Sequence, residues 1–207
     1  MVRTAASLHS SLDALAEREP AFARVIDEKG RPEPRFSDPG IETLLRTIVG
    51  QQVSVAAARS MWNKLVARFG TPVDLEALLA SSDEQLREAG LSRQKAGYAR
   101  SLAGLVLSGE LDLARLPSDD EEAIAELIKI KGIGRWSAEI YLLFAEGRAD
   151  AFPAGDLAVQ IELGRLLGHP ERPSEKQVRE WAENWRPHRG AAAVLAWHSY
   201  NSTGTAL

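Results

Sequence analysis

An acidic side chain at the predicted start of a helix is the residue with the clearest chemical capacity. Asp156 follows the loop Gly147-Arg148-Ala149-Asp150-Ala151-Phe152-Pro153-Ala154-Gly155 and precedes Leu157, Ile161, Leu163 and Leu166, the apolar positions of a helix. In a cleft, a carboxylate can stabilise oxocarbenium-like charge on a sugar, or position and deprotonate a water. Aspartate is also a favoured helix N-cap, a role worth about 1 kcal/mol. The two roles are compatible, because a cap contact fixes the direction of the carboxylate.

Upstream lies Leu127-Ile128-Lys129-Ile130-Lys131-Gly132-Ile133-Gly134-Arg135-Trp136-Ser137-Ala138. One helix ends at Gly132 and a second begins at about Arg135, with Ile140, Leu143 and Phe144 on one side. Two glycines one residue apart permit a tight turn and leave no side chain over the following amides. Those N–H groups, aided by the helix dipole, can cup a phosphate. The same twelve residues also suit an ordinary helical corner that binds nothing.

The elements that must position these residues are helical nearly throughout. Ile41, Leu44, Leu45 and Ile48 recur at helical spacing, as do Met61, Leu65 and Phe69. Ala-rich stretches at Val55–Ala58 and Ala191–Leu195 favour helix over strand. Gly70-Thr71-Pro72 stops one helix, and the segment from Gly30 to Pro34 is a loop. Ser118 with Glu121 forms the pattern of a capping box, opening a helix that ends near Lys131. Leu111–Leu113 and Ala151–Phe152 alone look extended, and both are short. The fold class expected is all-α.

With 207 residues, 44% apolar and 26% charged, the chain can bury one core or two small lobes sharing a cleft. No apolar run approaches the roughly 20 residues of a membrane span, and Met1-Val2-Arg3-Thr4 does not open a signal peptide. The absence of cysteine excludes disulfides, thiol nucleophiles and cysteine-ligated zinc or iron–sulfur sites. A reducing compartment is therefore expected, cytoplasmic in a bacterium or nuclear in a eukaryote. His9, His169, His188 and His198 lack ligand spacing, so no catalytic metal is expected. The net charge of −4 counts against a nucleic-acid binder that relies on Lys and Arg. Backbone amides at helix N-termini are exempt from that count.

The glycine turn followed by Asp156, 24 residues after Gly132, resembles the helix-hairpin-helix (HhH-GPD) superfamily of DNA glycosylases. Within it, the alkylation-repair branch, 3-methyladenine DNA glycosylase II, matches at Ile48-Val49-Gly50-Gln51-Gln52-Val53-Ser54-Val55-Ala56, at Gly132 to Ala138, and at Val194-Leu195-Ala196-Trp197. The resemblance runs from about Ile41 to the C-terminus. Two departures stand out. Pro153 lies three residues before Asp156, where this branch often has a proline nearer, and the chain is too short for the N-terminal β-rich domain of the bacterial type enzyme. A compact form is expected.

The resemblance implies a single two-lobed domain. One lobe covers about 38–147, including the hairpin 127–138, and the other about 1–37 plus 148–207, with Asp156 at the mouth of the cleft between them. It implies a monofunctional glycosylase of base excision repair that flips an alkylated purine of the 3-methyladenine or 7-methylguanine type out of double-stranded DNA and hydrolyses its glycosidic bond. Bifunctional members carry a nucleophilic lysine where Trp136 stands, so no lyase activity is expected. Trp136 and Trp197 fall at base-pocket positions, where an indole face suits a cationic base, although Trp197 also suits core packing. Tyr141 and Tyr200 are further pocket candidates.

Gln51, Gln52 and Ser54 match the segment that fills the space left by the flipped base, with Gln52 as the wedge or simply a surface glutamine. Gly132, Gly134, Arg135 and Ser137 match the phosphate grip. Lys95 either touches a phosphate or lies on a solvated helix face. The carbonyls of Ile128, Ile130 and Ile133 match a structural site for Na+ or K+, and no other cofactor is implied. A monomer is expected. The alternatives are a glycosylase for uracil or a deaminated purine, and a non-catalytic hairpin module that only binds DNA.

Overall fold

The computed structural model describes residues 4–202, so the start at Met1 to Arg3 and residues 203–207 lie outside the described part. Among the described residues every regular element is helical, as the 3.6-residue periodicity predicts. In chain order come α1 (Ala5–Arg18), α2 (Pro20–Lys29), α3 (Ile41–Gly50) and α4 (Val55–Phe69). The short α5 (Leu75–Ala80) and α6 (Asp83–Glu88) lead to the long α7 (Arg93–Leu107). Then follow α8 (Asp120–Leu127), α9 (Arg135–Phe144), α10 (Leu157–Leu166), α11 (Glu175–Ala182) and α12 (Arg189–Ser202). Leu111–Leu113 and Ala151–Phe152 are irregular rather than strands. No helix among the described residues is long and apolar enough to cross a membrane.

These helices pack into two compact units, Asp38–Ala138 and Met1–Ser37 with Glu139–Leu207. The chain passes from one to the other inside α9, at Ala138–Glu139, whereas the resemblance implies a boundary near residue 147. From Ala138 to Leu143 this helix is buried at every position but Ile140.

In the 38–138 unit, α3 turns Leu44, Leu45, Ile48 and Val49 inward against α4 and α7. Trp62, Leu65 and Phe69 of α4 and Ala96, Ala99 and Leu102 of α7 complete that core. Gly70, at φ +82°, ends α4 just before Pro72, as predicted. The start of α8 differs from expectation. Its N-cap is Asp119, whose carboxylate accepts the N–H groups of both Glu121 and Glu122 at 2.9 and 3.0 Å. One aspartate thus satisfies two of the helix's terminal donors, which a Ser118 box would do with two side chains. The helix stops at Leu127, short of Lys131, and a run of turns carries the chain to Gly132.

In the other unit, α12 lies on α10 and on α1 and α2. Its small residues Gly190 to Ala193 are fully covered. A Cβ at Gly190 would stand 2.6 Å from Leu143 Cδ1 and 2.7 Å from the Ala149 carbonyl, so only glycine permits this approach. Beneath α12, Glu162 is 1% exposed. Arg165 holds it through Nη2 at 2.6 Å and Nε at 3.0 Å. Burial pushes the Glu162 carboxyl up, but the Arg165 and Ser199 hydrogen bonds and the charges of Arg165 and Lys29 outweigh it and set the group below its usual 4.5.

A carboxyl depressed in the folded state stabilises the fold above its unfolded pKa and loses that contribution as pH falls through the folded one. Thermal melts across the acid range should therefore show Glu162→Gln less stable than the parent near neutrality, with the gap closing below the usual glutamate range. A gap independent of pH would mean that packing alone is at stake.

Candidate functional site

Gly132 adopts φ +85° at the apex of the turn between α8 and α9. Only glycine takes that conformation without strain, and a Cβ there would lie 2.2 Å from the Tyr98 ring. Ile130 accepts the N–H of Ile133 at 3.0 Å across the turn, and both isoleucines are buried. Gly134 is different. Its φ is ordinary and a Cβ would meet nothing within 4 Å. The space over Gly134 is open and the residue is exposed, so an outside anion can approach the turn at that point. The carbonyl of Gly134 accepts the first bond of α9, from Ala138 at 3.0 Å. Among the carbonyls matched to a monovalent cation, that of Ile130 is turned inward by its bond with Ile133 and keeps a second lone pair. An all-oxygen donor set of this kind suits a hard ion.

The loop between α3 and α4 stands in the same unit. Gln51 is half-buried, and its Nε2–H donates to the Gly132 carbonyl at 2.7 Å. It is therefore a tie between two turns rather than an open DNA contact. Gln52 is exposed with φ +54°, a left-handed conformation unusual for a residue with a side chain. Ser54 is exposed and caps α4 by accepting Ala57 N–H. Lys95 fits neither expectation. It is 9% exposed, and its ammonium donates to the Val49 carbonyl at 2.7 Å near the end of α3. Burial lowers its pKa. The packing of α7 on α3 carries the lysine stem inward, where a carbonyl at a helix C-terminus is the natural partner.

At the start of α9, Trp136 is 46% exposed and Ser137 is 9% exposed. Arg135 is exposed and pairs with Glu121 through both terminal guanidinium nitrogens, Nη1 and Nη2, which matches its charge within the protein.

In the other unit, Asp156 is the N-cap of α10 and is half-buried. One oxygen, Oδ1, accepts two hydrogen bonds at 3.0 Å, from Val159 N–H and from the indole Nε1–H of Trp197. The cap expected from sequence and a second donor forty-one residues away thus fix the same carboxylate. Trp197 lies beside Phe144, with ring centroids 5.7 Å apart. It also lines a cavity of about 340 Å³ with Phe144, Val194, His198 and Arg31. Tyr141 is 3% exposed, a core position, and Tyr200 is half-buried.

Three contacts, two at the carboxylate loop and one at the glycine turn, escape a reading by motif. Gln160 is buried, and its Nε2–H reaches back to the Ala154 carbonyl at 2.8 Å. Its place four residues after an N-cap was the available signal. Arg179 bonds the buried Glu139 at 2.8 Å and Glu175 at 2.7 Å, and it approaches the Phe152 carbonyl at 3.5 Å. No local pattern links residues 139 and 179. The ring of Tyr98 against Gly132 likewise joins α7 to the turn without a sequence signature.

The chain belongs to the HhH-GPD superfamily of base excision DNA repair proteins. The family pattern matches residues 45–187, a span that takes in the Gln51–Ser54 loop, the Gly132 turn and Asp156. Among curated relatives, DNA-3-methyladenine glycosylase 1 of Schizosaccharomyces pombe is 32% identical over 75% of this chain and 70% of its own length. A putative DNA-3-methyladenine glycosylase of Bacillus subtilis is 27% identical over 75% of this chain, which spans 57% of that relative. The solved structure of an S. pombe 3-methyladenine DNA glycosylase in complex with abasic DNA superposes with a TM-score of 0.77. It is 27% identical to this chain, and the match covers 95% of this chain and 98% of that one.

The two glycines should respond differently to alanine. Gly132→Ala should cost about 1–3 kcal/mol in denaturant melts, through its φ and the Tyr98 ring. Gly134→Ala should leave stability within about 0.5 kcal/mol and weaken duplex binding in fluorescence anisotropy. Equal stability losses would mean that Gly134 serves the turn's geometry rather than an incoming phosphate.

Proposed function

We propose that this protein is a monofunctional DNA glycosylase of base excision repair that releases alkylated purines of the 3-methyladenine and 7-methylguanine type from duplex DNA. The observation that carries the reading is Asp156, held by Val159 and Trp197 at the positive end of α10. The names of the relatives and the abasic DNA in one solved neighbour support it.

In this reading the Gly132–Gly134 turn and the N-terminus of α9 grip a phosphate beside the lesion, with Ser137 close behind. Gln52 enters the space left by the extruded nucleotide and offsets part of the stacking lost, a few kcal/mol. An alkylated purine carries positive charge, so the bonding pair leaves with it as the C1′–N bond breaks and the base departs neutral. The sugar is left as an oxocarbenium-like cation. The carboxylate of Asp156 stabilises that charge and directs water to C1′. The water's proton is lost to Asp156 or to solvent, and the products are a free base and an abasic site.

Because Trp197 donates to the catalytic carboxylate, its role is not limited to offering an aromatic face. Trp136 provides a second exposed indole for a cationic base, gaining about 0.5–2 kcal/mol. Standing where bifunctional members carry lysine, Trp136 can form no Schiff base. A monovalent cation on the carbonyls of Ile128, Ile130 and Ile133 would stiffen the turn. The protein acts as a monomer.

Asp156→Asn should abolish release of methylated purines, followed by chromatography of the freed bases, while binding to abasic duplex persists. An inactive parent that still binds DNA would point instead to a non-catalytic hairpin module. Release of uracil in preference to methylpurines would overturn the substrate assignment. Borohydride should trap no protein–DNA adduct with the active parent; efficient trapping would contradict the monofunctional mechanism.

A further inference from the structure

The two turns that meet DNA in the glycosylase reading are far apart in sequence, yet one side chain joins them. Gln51 Nε2–H donates to the carbonyl of Gly132, at the apex of the phosphate-gripping turn, at 2.7 Å across 81 residues. The next residue, Gln52, holds the left-handed φ of +54° at the tip of the α3–α4 loop. That conformation costs a residue with a Cβ about 1–2 kcal/mol, so the surrounding structure must hold it in place. Both turns also rest on α7. Lys95 donates to the Val49 carbonyl at 2.7 Å, just before the loop. The hydroxyl of Ser101 accepts Lys131 N–H at 3.1 Å, just before the turn, and the Tyr98 ring closes over Gly132 itself. These contacts fix each turn to a common backing. The Gln51 amide spans directly from one to the other.

We propose that Gln51 is a positioning residue that holds the Gln52 loop in fixed register with the Gly132 turn, so that phosphate grip and insertion into the duplex occur as one event. The inference rests on the glycosylase reading of those two turns. Insertion pushes a loop against stacked bases, and a loop free to retreat would give up the contact rather than unstack them. A glutamine meets the demand because its amide donates to a carbonyl, whereas the isosteric carboxylate of glutamate has only acceptors. Loss of the strut should spare nonspecific binding, which needs only the phosphate grip, and impair whatever depends on insertion.

The test uses the full chain as parent, Gln51→Glu and Gln51→Met, the latter of similar length and neutral. Anisotropy would measure affinity for an undamaged duplex and for one carrying a tetrahydrofuran abasic-site analogue. Single-turnover release of 7-methylguanine would measure the chemical step. For Gln51→Met we expect undamaged-duplex affinity within about twofold of the parent, and abasic preference down by about tenfold, as for one lost hydrogen bond. The single-turnover rate should fall in step, with the thermal melt still cooperative. Gln51→Glu should lose as much abasic preference or more. A change that leaves the abasic-to-undamaged ratio at the parent value, whether affinity falls equally for both duplexes or not at all, would overturn the proposal. Should the glutamate variant not fold, the methionine variant alone decides. A parent with abasic preference but no base release would sink the substrate assignment and leave the strut standing; a parent without that preference would sink both.

Discussion

A backbone reversal that tolerates no side chain at its apex is the constraint on which the 38–138 unit depends. At Gly132 the left-handed φ and the closeness of the Tyr98 ring act together. The first turns the chain from α8 into α9 within a few residues; the second brings the apex carbonyl close to the α3–α4 loop, where Gln51 receives it. Gly134 answers to neither condition, since its φ is ordinary and the space beside it is empty. Two glycines that look equivalent as a Gly-x-Gly motif therefore do different physical work, one within the protein and one at its surface.

The other unit solves a different problem, that of fixing the direction of a charged group. Asp156 receives N–H donors on one oxygen from its own helix and from the Trp197 indole. The cationic support lies further back, where Arg179 meets Glu139 and Glu175 close to the Phe152 carbonyl.

What could be read in the sequence was whatever local chemistry repeats. The helical periods of Ile41–Ile48 and Met61–Phe69, the stop at Gly70 and the start of α9 at Arg135 all lie where their residue types place them. So does the N-cap at Asp156, since a short polar side chain before an apolar helix has few other local uses. Readings failed where a side chain's partner came from elsewhere in the chain. Lys95 looked like a surface charge because most lysines are; its partner, Val49, is on another helix. Gln51 and Gln52 are identical neighbours in sequence, and only the fold separates a buried tie from an exposed tip. Ser118 and Glu121 have the spacing of a capping box, but Asp119 between them carries a stronger acceptor, which takes the Glu121 amide and that of Glu122.

The charge balance fits this division of labour. A chain with a net charge of −4 cannot rely on a broad cationic surface to hold DNA. Two cations near its candidate contacts are committed within the protein, Arg135 to Glu121 and Lys95 to the Val49 carbonyl, while Lys131, next to Gly132, is exposed. In the glycosylase reading, backbone dipoles at the turn add a contribution that this charge count omits. Their field falls off within about one helical turn, so they reward a phosphate only at the right distance and angle. A grip of that kind is short-ranged and directional. It contributes little to distant attraction, and in the proposed reading it makes the spacing between the Gly132 turn and the Gln52 loop a quantity the fold has to hold fixed.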